Sequence, residues 1–125
     1  MKYLCLIYYD ETLEDAMSKE DWGALVDECL AYGERIRGSG HFLGGQSLEH
    51  SRATTTLQLR DGKVSTTDGP FAETKEQLAG FYLIEARDLN DALQAAAKIP
   101  PLRLGRVEVR PIRDITDADH GRPLP

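Results

Sequence analysis

The chain has 125 residues, of which 41% are hydrophobic and 29% charged, and this fits one globular domain. Its net charge of −6 argues against binding to nucleic acid or to an anionic membrane surface, because both need clustered lysine and arginine. Cys5 and Cys29 lie in apolar runs and are predicted to be reduced core thiols. No segment resembles a signal peptide or is long enough to span a bilayer, so we expect a cytoplasmic protein.

The first half of the chain reads as strand, helix, strand. Residues 2–9 are predicted to form a strand that is apolar on both alternating faces. Residues 18–38 are predicted to form an amphipathic helix that begins at a cap-like Ser18. Residues 41–48 form a plausible second strand, and its glycine pair suggests a bulge or a close approach by another backbone.

The middle of the chain contains a hairpin signal. Residues 54–60 and 63–67 are predicted to pair around the turn Asp61-Gly62. Residues 80–86 are predicted to form a further strand that is apolar on both faces.

The last third reads as helix, strand and tail. Residues 89–98 are predicted to form a second helix and residues 105–112 the final strand. The chain is therefore predicted to consist of one domain, residues 1–112, and a polar tail without periodicity, residues 113–125.

This order of elements predicts an α+β domain of ferredoxin-like βαββαβ topology with an extra hairpin strand. Both helices would cover one face of an antiparallel sheet. Residues 2–9 and 80–86 also place apolar side chains on the opposite face, and a bare apolar face of that size is typical of an interface. We therefore expect a homodimer in which two copies pack sheet to sheet.

A run around the hairpin resembles a known family. The residues that carry the resemblance are Asp61-Gly62-Lys63-Val64, Thr67-Asp68-Gly69-Pro70-Phe71-Ala72-Glu73-Thr74-Lys75-Glu76-Gln77-Leu78 and Gly80-Phe81-Tyr82-Leu83-Ile84. The chain is similar to the YCII-related family, and more closely to its DGPF branch, named for the tetrapeptide at 68–71. The resemblance covers about residues 1–112. It implies a dimeric α+β barrel and no established activity.

The wider family includes members thought to use a His–Asp pair near the first helix, and at least one dehydrochlorinase. The first predicted helix here contains no histidine, so that pair is not transferred to this chain. The chain also lacks a P-loop, a nucleophile elbow and a dinucleotide glycine motif. Its three histidines are too scattered for a metal site, and we predict neither a cofactor nor a metal.

Asp68 and His41 are the candidate catalytic residues. Asp68 lies beside a sharp Gly-Pro turn, where its carboxylate is suited to act as a general base or hydrogen-bond acceptor. The alternative is an Asx turn, in which the side chain accepts backbone N–H groups and shapes the loop. His41 opens the second strand and titrates near neutral pH, or else it hydrogen-bonds the backbone at a strand end.

Four further residues are candidates for ligand binding. Glu73 and Lys75 follow the tetrapeptide and either meet a polar ligand or form a solvated loop. Arg103 has the planar fork that binds carboxylate or phosphate, and the Tyr8 hydroxyl is suited to line a pocket.

Two functions are compatible with these residues. The first is a dimeric protein that binds a small molecule in a cleft near the Asp68–Phe71 loop. The alternative is a cofactor-independent enzyme, of lyase, isomerase or dehydrochlorinase type, in which Asp68 and His41 transfer protons. Free Asp68 oxygens facing a cavity would favour the enzyme, whereas oxygens occupied by backbone donors would favour a structural role.

Overall fold

A computed structural model of the chain describes residues 1–115. The predicted tail, residues 113–125, therefore lies mostly outside the described residues. In chain order the helices and strands are β1 (Lys2–Tyr9), α1 (Glu11–Asp15), α2 (Lys19–Gly38), β2 (Phe42–Ser47), β3 (Thr55–Arg60), β4 (Lys63–Asp68), β5 (Gln77–Glu85), α3 (Leu89–Ala96) and β6 (Gly105–Pro111). Two 3₁₀ turns, Ser51–Ala53 and Pro100–Leu104, complete the fold.

Four strands form an antiparallel sheet in the order β2-β5-β1-β6. Along the chain, α2 lies between β1 and β2, and α3 lies between β5 and β6. This topology is that of a ferredoxin-like α+β fold, and it confirms the predicted fold class. The hairpin β3–β4 pairs only with itself, as a separate two-stranded sheet. In the described part of the chain no helix is long and apolar enough to cross a membrane.

The core lies between the sheet and the helices α2 and α3. Alternate residues of the central strand β1 are buried, and they pack against buried residues of both helices. Burying every second side chain of a central strand removes its apolar surface from water, and this is the main favourable term in folding. The buried residues of β1 are Tyr3, Cys5, Ile7 and Tyr9.

The long helix α2 begins as predicted. The Ser18 side chain accepts a hydrogen bond from the Asp21 N–H at 3.0 Å, so one orphan donor of the first turn is satisfied. Its buried residues are Leu25, Tyr32 and Ile36, whereas Trp22 and Val26 each remain 37% exposed. The helix therefore has a partly exposed apolar strip, which contains Trp22 and Val26, beside its buried face.

The face of the sheet away from the helices is partly apolar, and no helix within residues 1–115 packs against it. On β1 and β5 it carries five half-exposed side chains, and β6 borders it with charged ones. The hairpin is more exposed still, with one side that carries apolar residues exposed by 66–69%. The five side chains of the sheet are Leu4, Leu6, Tyr8, Phe81 and Leu83, and those of the hairpin are Leu57, Leu59 and Val64.

Gly105 begins the last strand in a space too small for any side chain. A Cβ atom there would overlap the carbonyl oxygen of Tyr8 and lie 2.8 Å from Tyr9 Cα. Because the neighbouring atoms belong to the backbone of the central strand, they cannot rotate away.

We expect Gly105→Ala to lower the free energy of unfolding by about 2 kcal/mol or more, because overpacking against backbone forces β6 away from β1. Urea denaturation checks this. Gly44→Ala is the matched control, because a Cβ at that strand glycine would meet nothing within 4 Å. Equal stability of the two variants would contradict the explanation.

Candidate functional site

The Asp68–Phe71 loop is held in place by the hairpin backbone. Gly69 has a φ of 95°, and its N–H donates to the Thr54 carbonyl at 2.6 Å. The Thr56 hydroxyl donates to the Gly69 carbonyl at 2.7 Å. A positive φ is easy for glycine, so these two bonds set the turn without help from the Asp68 side chain.

The Asp68 carboxylate is exposed and accepts no hydrogen bond from any residue in 1–115. It lines a cleft of about 710 Å³ between the loop and the segment that follows β1. Within the described residues the Asp68 side chain therefore does not make the hydrogen bond of an Asx turn, and whether it binds a ligand stays a prediction. An oxygen without a partner retains its full capacity to accept hydrogen bonds.

The opposite wall of the cleft is built by α1, a short helix that the sequence did not predict. Its N-cap is Asp10, whose Oδ1 accepts from the Thr12 N–H at 2.9 Å. Hydrogen bonds from Thr12 lower the pKa of Asp10, and the positive charge of Lys75 adds to this effect. The Glu11 carboxylate accepts from the Ser51 N–H at 2.7 Å and also from the Ser51 hydroxyl.

Glu11 therefore ties α1 to the 3₁₀ turn Ser51–Ala53, which His50 caps. His50 Nδ1 accepts from the Arg52 N–H at 3.1 Å. An amide N–H can only donate, so the ring proton lies on Nε2, which is 3.5 Å from Asp15 Oδ2. His50 is thus oriented by the backbone on one side and by a carboxylate on the other.

The predicted ligand-binding residues are divided between this cleft and other places. Glu73 and Lys75 line it together with Asp68, and neither has an ion-pair partner among residues 1–115. Tyr8 lines a neighbouring depression that also contains Lys75. Arg103 lies elsewhere, paired with Glu28 Oε2 at 2.6 Å.

Several residues of the cleft were not predicted from the sequence as site residues, among them Glu11, Asp15 and His50. They come from two segments about 40 positions apart, and neither segment contains a recognisable motif. The acidic run directly after β1 was the one available signal, because a strand end is where side chains from several segments meet.

No three His, Cys, Asp or Glu side chains within residues 1–115 come together in a way that could hold a metal ion. His120 lies outside the described residues. The chemistry that this cleft offers through its own side chains is hydrogen bonding, charge pairing and proton transfer.

Comparison with known proteins identifies the relatives of this chain. The family model described as the YCII-related domain matches residues 1–116. The chain belongs to the YCII-related family. An uncharacterized protein of Rhizobium meliloti (strain 1021) is 37% identical over 114 residues, which cover 90% of this chain and 92% of that protein.

In this YCII-related chain His41 lies apart from Asp68. It lines a different cavity, beside Met1 at the start of β1, whereas the Asp68 cleft adjoins Asp10 beyond the end of that strand. Both ring nitrogens of His41 are occupied, with Nδ1 2.6 Å from Ser39 Oγ and Nε2 3.1 Å from Asp91 Oδ1. The structure therefore gives His41 contacts that join the α2–β2 connection to α3.

The chain Ser39–His41–Asp91 contains the side-chain types of a hydrolase triad, but its setting differs. Ser39 is the C-cap of α2, where the helix dipole is negative and disfavours an alkoxide. Its hydroxyl also lies 3.1 Å from the Ile36 carbonyl, to which it can donate. Asp91 accepts from the Arg87 N–H at 3.0 Å, and this bond, with His41, lowers its pKa from 3.8 to about 2.

We expect the hydrogen bonds of the Asp91 carboxylate to stabilise the fold above about pH 4. This stabilisation should be lost as the pH falls towards 2. A carboxyl group whose pKa is lower in the folded protein favours folding only while it is ionised. Asp91→Asn should therefore be less stable than the parent protein at pH 7, and this difference should disappear between pH 4 and pH 2. Thermal melts across this range measure it, and a difference that persists at pH 2 would contradict the assignment.

Proposed function

We propose that this chain is a homodimer of the DGPF branch that binds a small polar molecule in the cleft around Asp68. The observation that carries the proposal is the Asp68 carboxylate, which has no hydrogen-bond partner within residues 1–115 and lines a cavity whose walls are held by bonds that do not involve it. A charged group that the fold itself does not use is available to a ligand.

The apolar outer face of the sheet supports the dimer. Leu6 lies at the centre of this face, opposite Phe81 on β5 and Glu108 on β6. Central apolar residues with a charged border are typical of a protein–protein interface. Two such faces packed together would form the predicted α+β barrel and would remove the apolar surface of both sheets from water.

Leu6→Lys tests the dimer. The lysine would lie next to Glu108, so the monomer should tolerate it, but burying the charge between two sheets is costly. Sedimentation equilibrium should give a molecular mass of about twice 13.9 kDa for the parent chain and of about 13.9 kDa for the variant. Leu89→Lys is the control, because Leu89 lies on α3 and is 50% exposed. A parent chain that sediments as a monomer at micromolar concentration would end this part of the proposal.

The unpaired charges of the cleft indicate the class of ligand. Within residues 1–115 none of Asp68, Glu73 and Lys75 has an ion-pair partner, so the two carboxylates can attract a cation and Lys75 can bind an anionic group. By contrast, Glu11 is occupied by Ser51 and Asp10 by Thr12. The arrangement suits a small molecule that carries both a donor or cationic group and an acidic group, such as an amino acid or another zwitterion.

The same observation favours a second candidate, an enzyme that needs no cofactor. A free carboxylate in a cleft is a competent general base, and His50, with its proton on Nε2, is a nearby donor. The enzyme alternative from the sequence gave proton transfer to Asp68 and His41. Because His41 lies in another cavity, His50 replaces it as the proposed partner of Asp68.

The Asp68→Asn variant distinguishes a role of Asp68 in ligand binding from a role in the stability of the fold. It removes the charge and preserves the size, so stability should change by about 1 kcal/mol or less. A screen of amino acids and other small zwitterions by thermal shift should give a rise in melting temperature for the parent chain. Loss of a charge-assisted hydrogen bond should weaken the selected ligand about tenfold or more in the variant.

Asp61→Asn is the matched control, since it makes the same charge change at the hairpin tip, where the φ of 49° suits asparagine. If Asp68 is a general base, turnover of the bound molecule should fall by ~10²-fold or more in Asp68→Asn. Unchanged binding and turnover in Asp68→Asn would remove Asp68 from the site.

A further inference from the structure

A second cavity of about 360 Å³ lies between α2 and the strands β2 and β5. It shares no lining residue with the acidic cleft. Its walls contain four aromatic residues, Tyr9, Trp22, Phe42 and Tyr82, together with the half-buried thiol of Cys29. The volume falls in the range of sites that hold small molecules, about 300–1,000 Å³.

The cavity exists partly because of Gly33. This residue lies inside a 20-residue helix, where glycine is less favourable than alanine. A Cβ atom at Gly33 would meet nothing within 4 Å, so no neighbouring atom requires the glycine. The absence of a side chain at Gly33 leaves the space between the helix and the sheet open, at a cost to the helix.

The cavity is also lined by two polar side chains that are open to solvent. The Tyr82 hydroxyl and the exposed Gln46 side-chain amide make no hydrogen bond with any residue in 1–115. Burial raises the pKa of Tyr82 to about 12, so its hydroxyl remains a donor at neutral pH. Phe42 and Tyr82 are held in place by neighbouring rings and cations, with Tyr32 edge-on at 5.2 Å from Tyr82 and Arg37 4.5 Å above Phe42.

The charged residues of this cavity neutralise one another. Glu34 and Arg37 are the charged residues among its lining side chains, and they form an ion pair one helical turn apart. No unpaired charge within the described residues is therefore offered to a ligand here, in contrast to the acidic cleft.

We infer that this cavity binds a neutral aromatic molecule that carries a hydrogen-bond acceptor, such as an aromatic ketone. The rings of Trp22, Phe42 and Tyr82 contact the ring of the ligand, and the Tyr82 hydroxyl donates to its acceptor. This site goes beyond the proposed function, since it is separate in position and opposite in polarity, and either site can fail without the other.

The test uses the dimethylaminonaphthyl ketone prodan, a neutral aromatic probe whose emission shifts to the blue in an apolar site. The parent chain should bind it saturably. Gly33→Leu fills the cavity and should weaken binding at least tenfold, whereas Gly23→Leu adds the same side chain to α2 away from the cavity and should leave it unchanged. Tyr82→Phe removes one hydrogen bond and should weaken binding about threefold to tenfold.

The location is checked by alkylation with iodoacetamide. Bound prodan should protect Cys29, which lines the cavity, and should not change the reactivity of the fully buried Cys5. This measurement uses the parent chain and therefore does not depend on the folding of a variant.

Several results would overturn the inference. They are the absence of saturable binding to the parent chain, equal binding by a folded Gly33→Leu, and unprotected Cys29 at saturation. A change of oligomeric state in Gly33→Leu but not in Gly23→Leu would assign the groove to a second copy of the chain, which also overturns it. Far-UV circular dichroism confirms that each variant is folded.

Discussion

The alternation of side chains along β1 is the constraint on which the rest of the structure depends. Its odd-numbered residues, from Tyr3 to Tyr9, are buried under the helices, and its even-numbered residues lie on the outer face. The strand pairs with β5 on one side and β6 on the other, so a register shift of one residue would exchange both faces. The helix layer and the apolar outer face therefore follow from one eight-residue segment.

The end of β1 also determines where the acidic cleft forms. The strand stops at Tyr9, Asp10 caps α1, and Glu11 binds Ser51 of a distant segment. One carboxylate thus closes a loop of 40 residues and orients His50 beside it. Glu11 thus holds two distant segments together, whereas the Asp68 carboxylate has no hydrogen-bond partner within residues 1–115.

The hydrophobic periodicity of the sequence predicted most of the fold. It failed at a bulge and at a helix too short to show a repeat. The long strands and both core helices appear close to their predicted ranges, but β5 begins at Gln77 rather than residue 80. The reason is a bulge at Ala79, which lets Leu78 and Gln77 continue pairing with β1. The five-residue α1 was missed, because it is too short to show an amphipathic repeat. Local sequence brought Asp68, Glu73 and Lys75 together, but no local signal joins Glu11 to Ser51.

The two cavities are lined by adjacent residues at the end of one strand. Tyr9 lines the apolar cavity, and its hydroxyl donates to Glu14 of α1 at 2.8 Å. The next residue, Asp10, lines the acidic cleft and caps the same helix. A movement of α1 would therefore disturb a wall of the acidic cleft and the hydroxyl of a residue in the apolar cavity together. Since α1 is short and has no fully buried residue, it is held by these few polar bonds, and it is the element that joins the walls of the two cavities.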